Sequence, residues 1–240
     1  MLGILFAGFA PGLALLSYFY LKDKHEPEPV SMVLFTFISG ALVLFPIAFI
    51  EYILKVENVV LYDSMNAIFS ASLIEEVFKW SVLFFCAYRS VEFDDPFDGI
   101  VYGTSVSLGF ATVENIFYLM TNGLDYALTR AMLPVSSHAL FGVIMGYYIS
   151  KAKFAKNSKW FWLIISILLP VLLHGVYNFL LLKAGTWLSV TPYMGFLWWL
   201  GLRKVHLAEK SSYDYFQKNP YTKQGTKLKP GMRFHLPIRG

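Results

Sequence analysis

The sequence predicts an all-α fold, a polytopic bundle of about seven membrane-spanning helices with the N-terminus outside and the C-terminus inside. Three observations predict it. The 240 residues are 56% hydrophobic and 18% aromatic with only 15% charged, a balance far from that of a soluble domain. Apolar runs near the length of about 20 residues that crosses roughly 30 Å of hydrocarbon recur along the whole chain. The connections between them alternate in charge. With seven spans and an outside N-terminus, the inner connections and the C-terminal segment hold 16 of the 20 Lys and Arg, while the outer connections keep only Lys55 and Lys183, as the positive-inside rule requires.

The first run covers 2–21. No Lys or Arg precedes it, and Lys22 and Lys24 follow directly, the reverse of the charge order of a cleavable signal peptide, so it is expected to stay in the mature protein. Runs 30–54, 64–88, 98–122, 126–150 and 160–182 come next. The fourth carries Gly103, Ser105, Ser107, Gly109 and Ala111, and the fifth carries Gly142 and Gly146, small-residue faces that let helices approach closely. The seventh, 187–202, is short and contains Pro192, with Phe196-Leu197-Trp198-Trp199-Leu200 as an interfacial anchor. A count of six to eight spans turns on that segment.

After Arg203 the apolar pattern stops. The expected division is therefore a transmembrane domain, 1–205, and a flexible basic cytoplasmic tail, 206–240. The tail's charge suits anionic lipid headgroups or serves only to set topology. No internal repeat is visible and nothing recommends nucleic-acid binding. The expected location is the cell membrane, multi-pass, with the bilayer as partner.

Ionisable residues inside spans are costly and read as functional candidates. Those singled out are Glu75, Glu76 and Lys79 in the third span, Glu114 in the fourth, His138 in the fifth and His174 in the sixth. Glu75 and Lys79 are one helical turn apart and can pair. Glu76 points about 100° away, without such a partner in its own segment. Glu114 shares a stripe with Phe110 and Tyr118. His174 shares a face with Asn178, and a proline precedes each histidine by four residues, Pro134 and Pro170, which loosens a helix and frees carbonyls. At about 1.5 Å per residue, Glu75, Glu114, His138 and His174 all fall roughly 12 to 18 Å below the outer surface. Four helices thus bring polar residues to one layer. The bland alternative is a neutral Glu75–Lys79 pair that only pins packing, with histidines as satisfied core residues.

A carboxylate beside a histidine in a partly dry pocket can take a proton from water, and a histidine with an amide partner can hold a developing oxyanion. That set suffices for amide hydrolysis. Ser136 and Ser137 stand near His138 without an evident Ser-His-Asp arrangement, and Cys86, the lone thiol, reads as a packing residue. Glu75, Glu114, His138 and His174 are also acceptable zinc ligands, yet the helical HExxH pattern is absent. No cofactor is expected, with zinc as the alternative.

At these residues the chain resembles the PrsW family of intramembrane proteases, which shares a superfamily of glutamate-dependent membrane proteases with the type II CAAX prenyl endopeptidases. The superfamily motifs EExxxR, FxxxH and HxxxN correspond to Glu75-Glu76-x-x-Lys79, Phe110-x-x-x-Glu114 and His174-x-x-x-Asn178. The first has the shorter gap and the Lys of the PrsW form, and the second has Glu in the histidine's place. Longer stretches, Ala10 to Lys22, Asp98 to Asn115 and Leu133 to Leu140, resemble the family's Bacillus members, so the similarity covers roughly residues 1 to 205. The resemblance implies the first, extracytoplasmic-side cut of a single-pass anti-sigma factor in a stress response. It implies that Glu75 activates water with Glu76 assisting, that His174 and Asn178 hold the oxyanion, and that His138 fills the slot left by Glu114. Lys79 is then a structural counter-ion. Rival readings are a CAAX-type prenyl-protein endopeptidase, a zinc-dependent membrane protease and, from another class, a proton-coupled transporter.

Overall fold

A computed structural model describes residues 1–57, 65–155, 157–184 and 187–218, and among them the fold is helical without strands. In chain order α1 is Leu2–Tyr20, α2 Val30–Val56, α3 Met65–Val82 and α4 Asp98–Asn122, with a π-helical stretch, Leu83–Tyr88, continuing α3. A short turn leads to α5 (Ala127–Arg130), then a π-helical stretch Ala131–Val135, α6 (Ser136–Phe154), α7 (Lys159–Ala184) and α8 (Thr191–Lys218).

The centre of the bundle is α4. Every residue from Asp98 to Thr112 is buried, because α1, α2 and α6 pack around it. Small residues make this approach close enough for backbone to meet backbone. A Cβ on Gly40 would overlap the Val106 carbonyl, one on Gly109 the Phe37 carbonyl, and one on Gly146 the Gly99 carbonyl. The small-residue faces expected on the fourth and fifth spans are thus both in use, the former against two neighbours. Hydroxyls find carbonyl acceptors: Thr104 Oγ1 donates to Ile100 O (2.7 Å) and Ser105 Oγ reaches across to Val33 O of α2 (2.7 Å).

Among the described residues, four stretches are long and apolar enough to cross a membrane: Leu2–Tyr20, Val30–Val56, Leu124–Phe154 and Lys159–Lys183. The third is 83% buried, the others 22 to 39%, so α1, α2 and α7 turn an apolar face outward while α6 is a core helix. The runs expected at 64–88 and 98–122 are also helical, the first over its described residues 65–88, but carry the polar residues that α3 and α4 direct at other helices. An enclosed helix does not need lipid-like side chains on every face. The protein is a multi-pass membrane protein.

No break falls at residue 206. The seventh run begins with a 3₁₀ turn, Trp187–Val190, and continues as α8, which passes the expected boundary and runs to Lys218. Val205, Ala208, Ser212 and Phe216 are buried, so residues 206–218 are packed helix rather than flexible tail. Residues 219–240 of the expected tail lie outside the described residues.

The α4–α6 contact gives a first expected outcome. Gly146→Ala should lower stability by about 1–3 kcal/mol, the usual cost of forcing an added carbon into a filled core, because its neighbour is backbone and cannot rotate away. Thermal denaturation in detergent checks this against Gly195→Ala, where an added Cβ meets nothing within 4 Å.

Candidate active site

On α3, Glu75 and Glu76 share one turn and Lys79 projects from the next. Lys79 Nζ donates to Glu75 Oε2 at 2.9 Å and to Glu76 Oε1 at 3.0 Å, and lies 3.2 Å from His138 Nδ1 of α6. Glu76 is therefore not without a partner in its own segment: one ammonium bridges both carboxylates. The Phe110 ring of α4 lies 3.9 Å from the same nitrogen, where its negative face favours the cation. Lys79 and Glu76 are both fully buried.

From α7, His174 Nδ1 lies 3.0 Å from Glu76 Oε1 and 4.0 Å from Glu75 Oε2. Its ring stacks on Phe141 at 5.0 Å and meets the His138 ring edge to face at 5.1 Å. The Pro before each histidine acts differently. Pro134 sits in the π-helical stretch that precedes α6, whereas Pro170 lies inside an unbroken α7. Near Pro134 the hydroxyls repair the backbone: Ser137 Oγ donates to Pro134 O (2.8 Å) and Ser136 Oγ to Met132 O. Both serines are engaged with carbonyls, which removes them as nucleophile candidates.

Glu114 of α4 stands behind His138. Its Oε2 lies 3.0 Å from His138 Nε2 and its Oε1 accepts from Arg130 Nη2 at 2.8 Å. Arg130 also donates through Nε to Asn115 Oδ1 (2.9 Å), and Asn115 Nδ2 reaches Gly8 O of α1 (3.2 Å). Asn178, one turn beyond His174, donates to Ser72 Oγ at 3.2 Å, beside the carboxylate–histidine group rather than within it. The layer expected from depth does assemble, with α3, α4, α6 and α7 all contributing. Exposure then separates its acids: Glu75 is 16% and Glu114 36% exposed, whereas Glu76 is closed off.

Arg130, Asn115 and Ser72 were missed by sequence reasoning, as was Glu51, a largely buried acid of α2 within electrostatic reach of Glu75 and Glu114. For Arg130 and Glu51 the signal was present, since both fall inside the assigned spans 126–150 and 30–54 and meet the criterion that selected the others. Asn115 and Ser72 carry no charge and gave none.

One metal-ligating group is formed at this layer by Glu75, Glu76, His138 and His174, whose ligand atoms lie within 4.8 Å of one another. It includes Glu76 in place of Glu114, which instead supports His138 from the far side. The donor types suit zinc, and a carboxylate on the second histidine nitrogen is common in zinc sites. The arrangement does not fit a bound cation, however, because the Lys79 ammonium already occupies hydrogen-bonding distance to three of the four residues.

Comparison with known proteins identifies the family. Residues 28–202 match the family described as PrsW family intramembrane metalloprotease, a description that leaves the cofactor open. The chain is 54% identical over 213 residues to Protease PrsW of Geobacillus kaustophilus, covering 87% of this chain and 93% of that one. It is 51% identical over 210 residues to Protease PrsW of Bacillus subtilis, covering 87% and 96%. Protease PrsW of Clostridioides difficile is 32% identical over 212 residues, covering 82% and 88%. No solved structure matches. With most of its length aligned to these peptidases and its buried polar residues gathered in one layer, the chain belongs to the PrsW family of intramembrane proteases.

Proposed function

We propose that the protein makes the first, extracytoplasmic-side cut in a single-pass anti-sigma factor, using water activated by Glu75, in a bundle of about seven spans oriented N-out and C-in. The observation that carries the choice of Glu75 is its exposure. It is the one partly open acid of the Lys79 cluster, while Glu76 is sealed between Lys79 and His174. Glu75 takes a proton from water, the water oxygen bonds to the scissile carbonyl carbon, and the carbonyl becomes an oxyanion. The proton then passes to the amide nitrogen as the C–N bond breaks, leaving a carboxylate and an amine.

His174 and Asn178 face the oxyanion. An Asn amide has two N–H donors, so the bond from Asn178 to Ser72 leaves one for this task. His138 has both ring nitrogens engaged, by Glu114 and Lys79. We therefore assign His138 and Glu114 to positioning Lys79 rather than to activating water. Membership of a protease family sets the transporter reading aside.

The test is cleavage of a single-pass anti-sigma factor by the purified protein in liposomes, with sequencing of the product's new N-terminus. A cut toward the outer end of the substrate's span, at an undiminished rate in EDTA, is the expected outcome. A rate abolished by EDTA and restored by zinc would overturn the carboxylate mechanism and replace it by a metal one. A cut only in prenylated peptides would move the substrate class.

A further inference from the structure

The helical segment that leads from α5 into α6 carries a buried charge that no step of the proposed reaction uses. Arg130 places its guanidinium carbon 4.2 Å from the centre of the Tyr118 ring of α4, where the ring face attracts a cation. Its Nη2 donates to Glu114 Oε1 at 2.8 Å and its Nε to Asn115 Oδ1 at 2.9 Å. Asn115 in turn donates to Gly8 O of α1 at 3.2 Å. The arginine is thus fixed against three side chains of α4.

Eight residues later the same segment presents His138, whose Nε2 lies 3.0 Å from the other oxygen of Glu114. Regular α-helix would leave positions 130 and 138 about 80° apart around the axis. The π-helical stretch Ala131–Val135 lies between them. Its turns close on the fifth residue rather than the fourth, so the backbone rotates less per residue and the angle narrows. Arg130 and His138 therefore share a face, and Glu114 is gripped by both of its oxygens.

A lysine ammonium has donors and no acceptor, so His138 Nδ1, 3.2 Å from Lys79 Nζ, accepts. A neutral imidazole then carries its hydrogen on Nε2, which donates to Glu114 Oε2. The hydrogen bond at one ring nitrogen sets the role of the other, and Glu114 makes that bond. Glu114 is itself partly open, and a carboxylate held by the ring alone is free to rotate. Arg130 removes that freedom through Oε1.

We propose that Arg130 is a positioning residue of the cleavage reaction: it locks Glu114, Glu114 locks the tautomer and orientation of His138, and His138 holds the Lys79 ammonium between Glu75 and Glu76. The proposal rests on the reading of Glu75 as the base. Each link from Arg130 through Glu114, His138 and Lys79 to Glu75 is between 2.8 and 3.2 Å.

The test has a spectroscopic arm and a kinetic arm. In the full chain, purified in detergent with ¹⁵N-labelled histidine, the ring nitrogen signals of His138 are assigned by their loss in His138→Gln. The native ring should show one tautomer, with hydrogen on Nε2 and a bare Nδ1. Arg130→Gln should give signals averaged over both tautomers, and Arg130→Lys, which keeps a cation facing Glu114, should restore the native pattern. In liposomes Arg130→Gln should lower kcat for the anti-sigma factor about 10²-fold, the cost of a small misplacement of catalytic groups, with KM unchanged. Arg130→Lys should recover most of that loss.

A native ring with hydrogen on Nδ1 overturns the proposal, and so does a single native-like tautomer, or native kcat, in Arg130→Gln. A raised KM at native kcat also overturns it, because Arg130 would then act on substrate binding. Where Arg130→Gln does not fold, the native ring and the Arg130→Lys ring decide, and mixed tautomers in either overturn it. If the native protein leaves the anti-sigma factor uncut, the reading of the substrate fails while the ring signals still decide this proposal.

Discussion

Glu75→Gln protein should fold and melt nearly as the native protein does, yet cleave its substrate about 10² to 10⁴-fold more slowly, the range that a positioned general base contributes. The two halves of this expectation have separate causes. Glutamine keeps the shape of glutamate and an oxygen that can accept the Lys79 hydrogen bond now made at 2.9 Å. Lys79 still faces Glu76 at 3.0 Å, so the buried layer keeps a matched pair of charges. What is lost is the basicity of the one partly open acid of the Lys79 cluster. Measuring cleavage and melting on the same preparation separates catalysis from folding. A variant that retained more than about a tenth of native activity would exclude Glu75 as the base. Glu76→Gln in the same assay tests the contrast, because a sealed acid that only orients Lys79 and His174 should show its loss in stability as well as in rate.

Removing the ammonium gives the opposite pattern. Lys79→Met should destabilise the protein by about 3–5 kcal/mol, the usual consequence of leaving a buried charge uncompensated, since Glu75 and Glu76 would then face each other and His138 without their bridge. Methionine fills a similar volume against the Phe110 ring, so packing alone would lose little. The double variant Glu76→Gln/Lys79→Met should recover much of the lost stability, because removing both partners of a buried pair costs far less than removing one. Denaturation in detergent for the native, single and double variants completes the cycle. If Lys79→Met alone melts with the native protein, Lys79 is not the counter-ion of this layer, and its three contacts are incidental.

The polar layer was legible because each of its members breaks an apolar run, and the cost of doing so marks it. Depth along the helices then grouped Glu75, Glu114, His138 and His174 before any contact was known. The pairing among them was not legible. Helical spacing alone relates Lys79 to Glu75, and it was the approach of α6 that placed His138 Nδ1 on the same nitrogen. Glu114 shows the same limit. As a member of the layer it looked like a ligand or base, but Arg130, arriving from a turn 16 residues later, holds its other oxygen. The packed helix beyond residue 205 was not legible for a related reason: charged residues after Arg203 end an apolar pattern without ending a helix, and α8 continues because its buried face, Val205, Ala208, Ser212 and Phe216, repeats at helical spacing.

Sequence by itself determined the class of molecule, helical and membrane-embedded, since hydrocarbon demands long apolar segments and leaves a composition that no soluble chain has. It also marked Glu75, Glu76, Glu114, His138 and His174 as the candidates for chemistry, since a carboxylate or an imidazole in a span is costly to bury. Tertiary structure alone decided which of those groups is exposed and which is sealed, and hence which can meet water. It alone decided that Lys79 stands among the ligands a metal would use, and that Arg130 holds the second oxygen of Glu114. The physical reason is common to all three. Energetic cost belongs to a residue and its immediate segment, whereas neutralisation of that cost depends on what other helices bring within a few ångströms.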